Sequence, residues 1–295
     1  MDPAFLCKAF FCFGTAVDLG GTLFPSFRER IMNYGSRGTD SQPSQEVNST
    51  SWNFLDFIAS IEVPHTWFTH YYVVSVASSI FWAIQMYSHG PVFELLASYS
   101  QPKDSMTTNQ VLLAWLLMAF QGTRRLYESL TLTKPSQSKM WAGLWLIGIA
   151  YYVFIGISVL IEGAAAMSQH GRGSSLEIGS PSLKTCIAVP IFLIASSVQH
   201  TCHKHLASLK KYTLPQQYWF QKVVCPHYAS ECMIYVAIAI IAAPPGQWLN
   251  KTVLAGLGFV VSNLGVTADS TRKWYVKKFG AEKLAGRWRM VPYLY

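Results

Sequence analysis

A chain of 295 residues has room for one or two soluble domains or for one polytopic membrane domain, and composition chooses between them. Only 13% of residues are charged while 51% are hydrophobic, which excludes an ordinary soluble domain. The net charge of +8, from 23 basic against 15 acidic residues, would suit a nucleic-acid binder if the basic residues were clustered on one face. They lie instead in short segments between apolar runs, so membrane topology accounts for them.

A spanning helix needs about 20 mostly apolar residues. Runs of that kind cover 4–24, 67–87, 107–122, 141–167, 185–202, 228–243 and 248–268, predicting seven transmembrane helices in an all-α polytopic protein. The first run lacks a basic flank and a small-residue cleavage site, so it is expected to be a retained helix. Lys8 apart, the connecting segments, the sixth extended to Lys251, hold 3, 1, 4, 2, 4, 1 and 7 basic residues in chain order. Rich and poor segments alternate, so the positive-inside rule puts the N-terminus on the lumenal side and the basic tail in the cytosol.

Within the first run Asp18 is either a functional intramembrane carboxylate or a solvated helix end. Segment 36–53 reads as a mobile polar loop carrying a sequon at Asn48, which this topology leaves cytosolic. A second sequon at Asn250 is expected to lie too close to the membrane for use. The second helix opens on His65-Thr66-Trp67-Phe68-Thr69-His70-Tyr71-Tyr72, either an aromatic belt or a source of donors to a substrate oxygen from His70 and Tyr71. The third ends on Gln121-Gly122-Thr123-Arg124-Arg125-Leu126-Tyr127-Glu128, where Glu128 can pair with Arg124 at i,i+4. These arginines are topological anchors or forks for a phosphate.

The densest stretch runs from Gln199 to Glu231, with ionisable groups crowded at the mouth of two membrane helices. His200 and His203 share a helical face whereas Cys202 points elsewhere, so a polar face of Gln199, His203 and Lys210 is expected and a metal is not. Pro226 suits a helix start. Glu231 then lies about a turn into the membrane, where a carboxylate requires a partner. The tail, with Arg272, Tyr275 and further cations among aromatics, lies on lipid headgroups or closes over a nucleotide. Neither GxGxxG nor a P-loop is present, and the six cysteines form no CxxC pair.

Taken in order, VPHTWFTHYYVVSV, RRLYES, QHTCH, CPHYASECMIY and WYVKKFG…VPYLY make the chain resemble the steroid 5α-reductase superfamily, within it the polyprenol reductase branch. The resemblance implies a single membrane-embedded reductase domain over 1–295 in the endoplasmic reticulum. It implies NADPH bound by a C-terminal region at 185–295, and a long-chain isoprenoid lipid as substrate. Gln199, His203, Lys210, His227, Tyr228, Glu231, Arg272 and Tyr275 then contact the cofactor, with Arg124 beside them, and His70, Tyr71 and Gln121 meet the substrate. The Glu–Tyr pair with which the steroid enzymes grip a ketone is absent, His227 stands for the commoner Asn, and Thr271 and Arg272 occupy the place of a tail histidine. The expected reaction saturates the α-isoprene unit toward dolichol, with polyprenal as immediate substrate, because hydride adds readily only to an alkene conjugated with a carbonyl.

Overall fold

The computed structural model describes residues 2–23, 57, 60–100, 105–134, 137–169, 181–210 and 212–295. The expected polar loop at 36–53 lies outside them. Each of the seven apolar runs becomes a helix: α1 (Pro3–Leu23), α2 (Thr69–Ser88), α4 (Thr108–Thr131), α5 (Ala142–Leu160), α7 (Leu183–Ser208), α8 (Pro226–Ile241) and α9 (Lys251–Phe279). Two short helices, α3 (Pro91–Ala97) and α6 (Ala164–Gln169), join them. Strand β1 (Glu62–Pro64) pairs antiparallel with β2 (Lys139–Trp141), Val63 opposite Met140, and so fixes the starts of α2 and α5 side by side. Among the described residues four helices, α1, α5, α7 and α9, can cross a membrane by length and composition. The chain is an all-α polytopic membrane protein; α2, α4 and α8 fall outside that group because they carry the polar side chains described below or are short.

Three boundaries depart from the apolar runs, each for a local reason. The run at 141–167 breaks at Ile161–Gly163, because the Glu162 carbonyl leaves the helix to accept from Met106 N (3.0 Å) and Ser105 Oγ (3.1 Å). The run at 107–122 continues as helix to Thr131, since its polar end is satisfied by side chains of neighbouring helices. The last run extends to Phe279, so the first part of the basic tail is helical.

Helix ends are set by side chains as well. Thr107 and Gln110 form a reciprocal capping box at the start of α4. Asn250 caps α9, its Oδ1 accepting from Thr252 N and Val253 N at 2.9 Å, while its Nδ2 donates to Ala242 O at 2.8 Å. The Asn250 side chain is fully buried, so this sequon is a helix cap. Asn250→Ala should lower stability by about 1–2 kcal/mol, read as a lower melting temperature in detergent, and the intact mass should show no glycan at Asn250. Asp18 is also buried, accepting from Ser262 Oγ at 2.9 Å and Asn263 Nδ2 at 3.4 Å, and it pins α1 to α9. It is not a solvated end.

Close approach of α2 to its two neighbours depends on glycine. A Cβ on Gly122 of α4 would come within 2.5 Å of Ser75 Oγ, and one on Gly156 of α5 within 2.6 Å of Ser78 Oγ. Small residues at such crossings let helix backbones approach where no hydrophobic drive separates helix from lipid. The consequence is that α2 stands near enough to both helices for its polar stripe to reach them.

Candidate active site

On α4, Gln121, Arg124, Arg125 and Glu128 fall at spacings of three, one and three, one face of a helix. Gln199, His200 and His203 share a face of α7, and His227 and Glu231 lie four apart on α8. The three faces converge. Glu128 is buried, and each of its oxygens receives two donors: Oε1 takes Arg124 and His200 Nδ1 (2.7 Å), Oε2 takes Arg125 (2.6 Å) and His203 Nδ1 (2.7 Å). Four donors fill the acceptor sites that a carboxylate offers. His203 Nδ1 also lies 2.9 Å from an Arg125 nitrogen; since a guanidinium cannot accept, the Nδ1–H serves Glu128.

Beside this hub lies a second carboxyl group. Glu231 accepts from Gln199 Nε2 and from Gln121 Nε2 (3.2 Å), and Gln121 Nε2 also reaches Gln199 Oε1 at 3.2 Å. Arg124 ties the two parts together, donating to Gln121 Oε1 at 2.8 Å as well as to Gln199 and Glu128. Two guanidiniums thus stand against two carboxyl groups in a low-dielectric bundle, which limits the cost of burying them. Two buried atoms of the cluster, His227 Nδ1 and Arg124 Nε, have no hydrogen-bond partner among the described residues. A buried polar atom left unpaired is costly, so both are open to a polar ligand.

The third contribution comes from α2 and α5. Arg125 donates to the Tyr72 hydroxyl and its guanidinium carbon lies 4.7 Å from the Tyr72 ring centroid. The Tyr72 ring meets Tyr152 of α5 edge-on at 5.9 Å. From Tyr152 a cleft runs between α2, α4 and α5, lined by Ser75, Ser79, Trp115, Met118 and Val159 among others.

Of the residues singled out in the sequence, Gln121, Arg124, Gln199, His203, His227 and Glu231 are brought together. Tyr228 adjoins them, its ring 4.3 Å from that of His227. Tyr71 turns away to the α2–α5 contact, where its hydroxyl donates to Leu144 O at 3.2 Å. His70 packs against Trp67 (5.2 Å) and Trp145 (6.0 Å). Lys210 is exposed just past the end of α7. Arg272 and Tyr275 lie on the last turns of α9, Tyr275 against Trp274 (5.4 Å) and Phe279 (5.8 Å).

The tail beyond α9 folds back on the connector before α8: Val224 N donates to Trp288 O (2.8 Å) and Cys225 N to Arg289 O (3.0 Å). Arg289 is held by Asp269 (2.7 Å). The basic tail is thereby fixed next to His227, at the end of the bundle where Lys210, Lys222 and Arg272 also lie.

Residues 180–295 match the family model described as 3-oxo-5-alpha-steroid 4-dehydrogenase. The chain is an oxidoreductase with a steroid 5α-reductase-family domain. It is 28% identical over 306 residues to "Polyprenal reductase 1" of Arabidopsis thaliana, covering 92% of this chain and 89% of that protein. Against "Polyprenal reductase" of Caenorhabditis elegans it is 26% identical over 259 residues, 80% of this chain and 81% of that one. Against "Polyprenal reductase" of Xenopus laevis it is 26% identical over 307 residues, 95% and 89% of the two chains. The similarity therefore spans the α2 and α4 side of the polar cluster as well as the C-terminal region.

The sequence did not single out Tyr72 or Tyr152, which lie against this cluster, nor the four donors that meet on Glu128. The signal for Tyr72 was available: Thr69, Tyr72, Ser75 and Ser79 recur at spacings of three, three and four, a polar stripe along a helix otherwise apolar. Thr69 meets Ser129 of α4 at 2.7 Å, and Ser79 O accepts from Trp115 Nε1 at 2.9 Å, so this stripe faces α4. Tyr152 carries no such signal in a run without polar periodicity.

Proposed function

We propose that this chain reduces the α-isoprene double bond of polyprenal with NADPH, on the route that yields dolichol for protein N-glycosylation, in the endoplasmic reticulum membrane with its C-terminus cytosolic. The observation that carries this reading is the polar cluster of α4, α7 and α8 buried among membrane helices, in a chain similar to polyprenal reductases over most of its length. A polar head and a long apolar tail are the ligand such a site suits. The tail extends between the helices into lipid, while the aldehyde stops at the cluster.

The residues fit a nicotinamide cofactor. The Gln199 amide offers a donor and the Glu231 carboxylate an acceptor for a carboxamide, and His227 Nδ1 and Arg124 Nε are the unpaired groups around them among the described residues. Lys210, Lys222 and Arg272 supply positive charge for phosphates at the same end, and the folded-back tail carries Arg287 and Arg289. When bound, the reduced nicotinamide supplies a hydride. The protein's own part is to hold the enal with its β-carbon toward that hydride, to stabilise the charge that moves onto oxygen, and to exclude water. A proton then adds at the α-carbon, so the net change is two hydrogens across the double bond.

Lipid analysis of a strain lacking the gene tests the substrate. Loss of dolichol with build-up of unsaturated polyprenoids is expected. Normal dolichol with altered very-long-chain acyl groups or sterols would instead assign a neighbouring lipid enone or enoyl substrate.

A further inference from the structure

We propose that Tyr72 is the catalytic hydrogen-bond donor to the substrate oxygen, polarised by Arg125. The inference rests on the reading of the chain as an enal reductase and names a residue of that site. Arg125 donates to the Tyr72 oxygen. Because a guanidinium has no acceptor, the hydroxyl must direct its own proton elsewhere, and no hydrogen-bond acceptor among the described residues takes it. A half-buried phenol with its oxygen already bonded to a cation and its proton uncommitted is a donor in waiting. Hydrogen-bond donation from Arg125 withdraws electron density from the oxygen and makes the proton a better donor.

Position supports the same role. Tyr72 precedes Ser75 and Ser79 on one face of α2, the two serines line the cleft, and the adjoining Tyr152 lines it too. Across the cluster the Gln121 amide is committed to Gln199 and Glu231, and Tyr71 is committed to Leu144 O. The chemistry then balances without a new reactant. Hydride forms a C–H bond at the β-carbon, the alkene pair shifts toward the carbonyl, and the oxygen takes negative charge against the Tyr72 O–H. A proton from the aqueous medium then adds at the α-carbon, the enolate electron pair forming that C–H bond and restoring the aldehyde, and the Tyr72 proton stays on Tyr72. Arg125 is a positioning residue in this scheme, since it touches Tyr72 and not the substrate.

Purified protein is assayed with NADPH and polyprenal, and the carbonyl stretch of a bound short-chain isoprenoid enal is recorded by Raman difference spectroscopy. Tyr72→Phe should lower kcat by about 10²–10³-fold, the usual effect of deleting one oxyanion donor. It should abolish the downshift of the carbonyl stretch and leave NADPH affinity in place. Should Tyr72→Phe misfold, 3-fluorotyrosine at position 72 keeps the ring and strengthens the acid, and it should deepen the downshift. A kcat within about threefold of wild type in Tyr72→Phe, or a carbonyl stretch indifferent to either change, overturns the assignment while leaving the enal reductase intact. A wild-type enzyme that binds NADPH but leaves polyprenal unreduced overturns both.

Discussion

Glu128→Ala is expected to cost about 3–5 kcal/mol of stability, the usual result of stripping the partner from buried charge, and to abolish turnover. The residue is buried and accepts from two guanidiniums and two imidazoles, so its loss leaves Arg124 and Arg125 like-charged neighbours without the carboxylate that both of them bond. Glutamine is not expected to rescue it. Its amide nitrogen would face the donors that one carboxylate oxygen now satisfies, replacing two bonds with two clashes. Thermal unfolding in detergent, with monodispersity followed by gel filtration, reads the outcome. A melting temperature for Glu128→Ala equal to that of wild type would show that the hub is ornamental.

The second large effect is expected at Glu231, and it should appear in binding more than in stability. Glu231 is partly accessible, four residues beyond His227 on α8, and its partners are neutral amides of Gln199 and Gln121. Removing it leaves both guanidiniums paired with Glu128. Glu231→Ala should weaken NADPH binding by about 10–100-fold, which corresponds to roughly 1.5–3 kcal/mol for a hydrogen bond to a charged group. Calorimetric titration of the purified variant provides the measurement. An unchanged Kd beside lost turnover would move Glu231 from the cofactor to the substrate side of the site.

How far these residues were legible without coordinates depends on periodicity. The seven helices could be read because each is a long apolar run, and the mouth of the site could be read because ionisable groups in such runs stand out. Gln199, His203 and Glu231 follow from that contrast alone, and the Arg124–Glu128 pair from its i,i+4 spacing. The choice between Tyr71 and Tyr72 could not be made in the same way. Adjacent tyrosines differ only in helical phase, and that phase is set by which neighbour each face meets: Gly148 of α5 lies against Tyr71, while Arg125 of α4 lies against Tyr72. The convergence of four donors on Glu128 likewise depends on the crossing of α4 with α7, a tertiary fact with no local sequence signature. Asn250 shows the opposite failure, a sequon whose meaning changes once its side chain is seen capping α9.

The measurement that tests the central claim most directly is NADPH oxidation by the purified, detergent-solubilised protein offered polyprenal and polyprenol separately, with products identified by mass. Turnover of polyprenal to the product saturated at the α-isoprene unit, with polyprenol left unchanged, is the predicted result. Reduction of polyprenol with no aldehyde intermediate, or no turnover of either lipid by protein that binds NADPH, would contradict it.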